Sequence, residues 1–146
     1  MIAKKKGLDN LISQDDQDLP PEALMFRYKE NMPHQVIILV KDKKIRATQL
    51  QSKVGNFILT YYSNAGLQVK PLMFTDSTQL LTITLFSNAN DAMDFSNHLQ
   101  QDEGPMNGYD PTDYQIFAIS QQNYTTFYNH KKVDAYKLFY NKYYRK

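Results

Sequence analysis

Five apolar residues in succession, Val-Ile-Ile-Leu-Val at 36–40, form the longest aliphatic run in the chain. The run is rich in β-branched residues and too short for a helix, so it predicts a strand buried on both faces and central in its sheet. After a turn at 42–44, Leu50, Val54, Phe57, Ile58 and Tyr61 recur at the spacing of one helical face. That spacing predicts a helix of about four turns reaching Tyr62, with Asn64 and Gly66 as its stop. Residues 67–74 read as a second strand, and Pro71 places it at an edge or a bulge, because proline has no N–H to give to a ladder. Asp76 and Ser77 turn the chain. Over 79–86, Leu81, Ile83 and Leu85 alternate with Thr82 and Thr84, and helices are expected on the leucine face. Asn88 as cap and Asp91 in the first turn open a helix over 89–100, with Ala92, Phe95 and Leu99 as its buried stripe. Gly104, Pro105, Gly108 and Pro111 make 102–113 a surface loop. Residues 114–119 form the last strand, Ser120 caps a short helix through Tyr128, and 133–144 add a final helix.

The order strand, helix, strand, strand, helix, strand predicts an α+β fold, a ferredoxin-like βαββαβ sandwich with an extra C-terminal helical pair. Two helices would cover one face of a four-stranded antiparallel sheet. This fold hosts many functions, so the order alone assigns none.

At 146 residues the chain suits one domain and a tail. Residues 1–25 combine Lys4, Lys5 and Lys6 with Asp15, Asp16, Asp18 and the Pro20–Pro21 pair, a composition that buries too little to order itself. They read as a flexible linker or tail, with a short helical turn at Leu8, Leu11 and Ile12, ahead of a domain over 26–146. A formal charge of +2 selects neither nucleic acid nor anionic lipid. No stretch approaches the roughly 20 apolar residues that span a bilayer. Polar Asp9 and Asn10 follow the lysines where a signal peptide needs an apolar core. An exported protein of this sequence would therefore take its signal from an upstream part.

Candidate chemistry is sparse. With no cysteine in the chain, disulfides, thiol nucleophiles and thiolate zinc sites are excluded. His34, His98 and His130 fall on three different elements without ligand spacing, so no metal is expected. The Asp15–Asp18 acids fail as a calcium loop, because Pro20 and Phe26 stand where glycine and glutamate are needed. Ser120 has a capping role and no histidine nearby in sequence to activate it. Strand 79–86 lacks the basic, glycine and aromatic residues with which RNA-recognition modules stack bases. Asp42, Lys43 and Lys44 stand where small-molecule regulatory domains of this topology place a glycine-rich turn. No catalytic residue, cofactor or nucleic-acid partner is expected.

The outlier is the C-terminal aromatic set. Phe127, Tyr136, Phe139 and Tyr143 are expected to pack the last helices onto the sandwich. Tyr124, Tyr128, Lys132, Tyr140 and Tyr144 are expected to present a protein-binding patch, since tyrosine and basic side chains favour interfaces.

Three segments carry a family resemblance: Phe26-Arg27-Tyr28 with Pro33-His34 leading into 36–40; Phe117-Ala118-Ile119-Ser120-Gln121-Gln122-Asn123-Tyr124 followed by Phe127-Tyr128; and the ending with Tyr136, Phe139, Asn141 and Tyr143. Together they resemble the C-terminal domain of the PorW/SprE-type tetratricopeptide-repeat lipoproteins of Bacteroidota, associated with gliding motility and type IX secretion. The chain has neither the helical repeats nor the lipobox cysteine of that family, so the likeness covers the terminal domain alone. It implies a non-enzymatic docking module facing the periplasm, part of a larger outer-membrane-anchored lipoprotein, with an envelope or secretion-machinery protein as partner. A second similarity, at Leu85-Phe86-Ser87-Asn88-Ala89-Asn90-Asp91-Ala92, is to the SPOR domains. It implies peptidoglycan glycan binding on the open face of the sheet as the alternative.

Overall fold

The computed structural model describes residues 19–145. A 3-10 turn at Pro21–Met25 precedes β1 (His34–Lys41), α1 (Ala47–Tyr61), β2 (Gln68–Met73), β3 (Thr78–Phe86), α2 (Ala89–Leu99), β4 (Tyr114–Ser120), α3 (Gln121–His130) and α4 (Val133–Tyr143). This is an α+β fold with one antiparallel sheet in the order β2-β3-β1-β4. The aliphatic strand β1 is central and Pro71 lies on the edge strand β2, as the sequence predicts.

Seven consecutive residues of β1 are buried, which requires cover on both faces of the sheet. On one face, α1 lies against β2 and β3 and α2 against β1 and β4, with the Phe86 ring on Phe95 of α2. On the other, Ile37, Thr82 and Phe117 are cross-strand partners and so project together. Phe117 meets the rings of Tyr136 and Tyr140 of α4 edge-on. Phe74, just after β2, stacks on Phe127 of α3, and Phe26 packs on Tyr136 and Phe139. The C-terminal helices and the 3-10 turn therefore close the second face.

That closure corrects three expectations. Leu80 and Thr82 are buried along with Leu81 and Ile83, because β3 is covered on both sides. Leu85, expected inside, is 49% exposed. His34 pairs with Phe86 while Val36 pairs with Ile83, so β3 carries one extra residue here; this bulge turns Leu85 outward and Phe86 inward. Finally, the core takes in residues before Phe26: Ala23 is fully buried, and Leu19 and Met25 pack on the core. Asn123 clamps this segment, accepting from the Arg27 N–H (3.1 Å) and donating to the Arg27 carbonyl (2.6 Å). Residues 1–18, including the expected turn at Leu8, Leu11 and Ile12, lie outside the described residues.

The loop after α2 also differs from a plain surface loop, since Gly104, Pro105 and Met106 are buried in its middle. Gly104 sits so close to α2 that an added Cβ would lie 2.3 Å from the Leu99 carbonyl oxygen. Only glycine fits that approach.

Candidate functional site

Helix α3 begins where the Ser120 hydroxyl accepts the Asn123 N–H (3.1 Å), and it ends at Lys131, whose φ of 58° is left-handed. Between these ends, helical spacing turns Phe127 inward and leaves Tyr124 and Tyr128 half-buried on its flank, their ring centroids 6.0 Å apart. The Tyr128 hydroxyl donates to the Met73 carbonyl at 2.9 Å, and Met73 itself is 62% exposed at the end of β2. The turn at Lys131 folds its ammonium back over this corner, 3.6 Å from the Tyr128 ring centroid and 4.7 Å from that of Phe74. Neither α3 nor β2 contains a carboxylate. The result is an aromatic corner, Phe74, Tyr124 and Tyr128, tied to the Met73 carbonyl at the β2 edge, with the Lys131 ammonium over it. Burial, and then Tyr128, push the Tyr124 phenol up, keeping it neutral.

The other expected patch residues do not join it. Tyr136, Tyr140 and Tyr144 follow one another at four-residue spacing and form the inner side of the α4 segment. Tyr140 is only 4% exposed, with its hydroxyl on Met93 Sδ of α2 at 3.1 Å, so the expectation that it faces a partner is corrected. Tyr144 stacks on Tyr140, and its hydroxyl donates to His34 Nε2 at 2.8 Å, because Nδ1–H of that ring donates to the Met32 carbonyl at 2.7 Å. Burial raises both phenols and lowers the His34 imidazole. Lys132 is exposed at the start of α4, 4.0 Å from the Glu22 carboxylate. Sequence reasoning missed Met73; a methionine at the end of an edge strand was the available signal.

The β2 edge beside the corner is blunted. Val69 offers its carbonyl to Gln51 Nε2 (3.4 Å), Met73 to Tyr128, and Pro71 has no N–H. Such devices oppose strand addition.

A second concave surface lies between α1 and the chain following α2, where Phe57, Tyr61 and His98 contact one another ring to ring. His98 Nδ1 and the Tyr62 hydroxyl hydrogen bond at 2.9 Å. Among the described residues, no group of three or more His, Cys, Asp or Glu side chains is placed to hold a metal ion. No described helix is long and apolar enough to cross a membrane.

The chain matches no family model, no curated protein and no solved structure. Function is therefore read from surface chemistry, and two surfaces offer it: the tyrosine corner and the groove at α1.

Proposed function

We propose that this chain is a non-enzymatic docking module on a ferredoxin-like core, serving a cell-envelope assembly. The Tyr124–Tyr128–Met73 corner carries the reading. Aromatic rings held by a hydrogen bond and a lysine, at a strand end that also exposes Met73, provide the rigid apolar anchor and adaptable side chain that protein interfaces use. Lys131 crowns the corner and no carboxylate lies on α3 or β2, so its complement is a protein surface with an apolar centre and an acidic rim.

The strand order β2-β3-β1-β4 is compatible with a ferredoxin-like sandwich, in which α3 and α4 would be the additional pair. The likeness at Phe26-Arg27-Tyr28, 117–124 and the Tyr136–Tyr143 ending favours a C-terminal domain of the PorW/SprE type, working in the periplasm within an outer-membrane-anchored lipoprotein. Its partner is then an envelope or secretion-machinery protein. The glycan alternative needs an open sheet face, and here Ile37, Leu80 and Phe117 are buried beneath the C-terminal helices.

Affinity capture from a detergent-solubilised Bacteroidota envelope extract tests the reading, with wild type, Tyr128→Ala and Met73→Glu as baits. One envelope protein retained by wild type and by a Lys137→Ala control, and lost from both corner variants, supports docking. Equal retention by all four removes the corner. Co-sedimentation with purified sacculi, insensitive to the corner variants, would favour the glycan alternative instead.

A further inference from the structure

The C-terminal half of α1 and the chain after α2 enclose a two-lobed groove that the docking reading leaves unused. One lobe, about 440 Å³, is lined by Phe57, Tyr61, His98, Gln101, Asp102 and Glu103. The other, about 460 Å³, is lined by Lys53, Asn56, Thr60, Pro105 and Asn107, and Phe57, Tyr61, Glu103 and Gly104 border both.

Two features give the first lobe its chemistry. Tyr61 is 52% exposed, with its ring steadied by Phe57 at 5.1 Å and His98 at 4.9 Å between centroids, so a rigid aromatic surface is presented to solvent. Asp102 and Glu103 stand at its rim and make no ion pair among the described residues. The stretch 101–113 holds four carboxylates and no lysine or arginine, in a chain of net charge +2. Asp102 and Glu103 stand on a fixed backbone: Gly104 is seated against the Leu99 carbonyl, its N–H donates to Gln101 O at 2.8 Å, and Met106 N–H donates to Leu99 O at 3.4 Å.

We propose that this groove binds the guanidinium of an arginine carried on an extended segment of a partner protein. A planar, weakly hydrated cation stacks on a tyrosine ring and gives paired donors to carboxylates, which is what the first lobe offers. The second lobe presents amides at Asn56 and Asn107 and the Thr60 hydroxyl, groups that match the peptide units flanking such a side chain. Lys53, held 4.5 Å over the Tyr109 ring, also lines that lobe and repels a second cation there. The site therefore selects a single arginine over a basic run.

Titration of the 15N-labelled protein with acetyl-Gly-Arg-Gly-amide, and in parallel acetyl-Gly-Glu-Gly-amide, tests this by NMR. The arginine peptide is expected to produce saturable shifts centred on Tyr61, His98 and Gly104. The Asp102→Asn/Glu103→Gln double variant is expected to weaken it by about tenfold or more, the scale of a lost charge-assisted pair. Tyr61→Ala should weaken it while Tyr128→Ala leaves it unchanged, so the outcome is independent of the corner. No saturable shifts with the arginine peptide, equal shifts with the glutamate peptide, or undiminished binding by the double variant would overturn the proposal.

Discussion

The Tyr128 hydroxyl donates to the Met73 carbonyl at 2.9 Å, tying the outer flank of α3 to the last residue of an edge strand. The same bond holds the aromatic corner in place and occupies an acceptor that an incoming strand would use. Tyr128→Phe keeps the ring and removes the bond, with an expected loss of about 0.5–1 kcal/mol in urea unfolding. Adding Gln51→Ala and Pro71→Val opens the whole edge. The triple variant is expected to shift toward larger species with concentration in sedimentation velocity; a profile identical to the parent protein would refute the blunting.

Asn123 satisfies both backbone groups of Arg27 from 96 residues away. Asn123→Ala leaves a part-buried N–H and carbonyl without partners, and about 2–3 kcal/mol of stability should be lost. Asn123→Asp keeps the acceptor but sets a buried carboxylate oxygen against the Arg27 carbonyl, so it should cost at least as much at neutral pH. Denaturant midpoints of the three proteins check the order.

His34 is buried neutral, its imidazole lowered by desolvation against the opposing pull of the Met32 carbonyl. The Tyr144 hydroxyl is its other partner, and that phenol in turn faces Tyr28, Tyr136 and Tyr140. Because the folded state holds this proton less tightly than the unfolded chain, the contribution is complete above the unfolded value of about 6.5 and is lost as pH falls below it. Urea midpoints should drop from pH 7.5 to 5.0, and the drop should shrink in His34→Gln.

Two glycines should respond with opposite signs. Gly55 lies within α1 with open space where a Cβ would go, so Gly55→Ala should stabilise by about 0.5–1 kcal/mol. Gly104→Ala drives a methyl into the Leu99 carbonyl and should cost about 1–3 kcal/mol while loosening Met106. Thermal melts distinguish them.

Much of the framework is legible locally. The run at 36–40 marks the central strand, Asn88 caps α2 through the Asp91 N–H, Ser120 caps α3, and Pro71 identifies the edge. What escaped depends on distant parts of the chain. A bulge set by pairing with β1 exposes Leu85. Tyrosine suits both interior and surface, so only the docking of α4 on Phe117 decides that Tyr140 turns inward and Tyr128 stays at the rim. The burial of Ala23 likewise needs α4, which packs on the Pro21–Met25 turn, and the groove beside Tyr61 needs the close seat of Gly104 on α2.

Site-specific photocrosslinking tests the docking corner most directly. A benzoylphenylalanine placed at Met73, with one at the exposed Leu138 as control, is irradiated in a Bacteroidota envelope preparation. The docking account expects one discrete adduct with an envelope protein from position 73, abolished by Tyr124→Ala/Tyr128→Ala and absent from position 138. No adduct from position 73, or the same adduct from both positions, would contradict it.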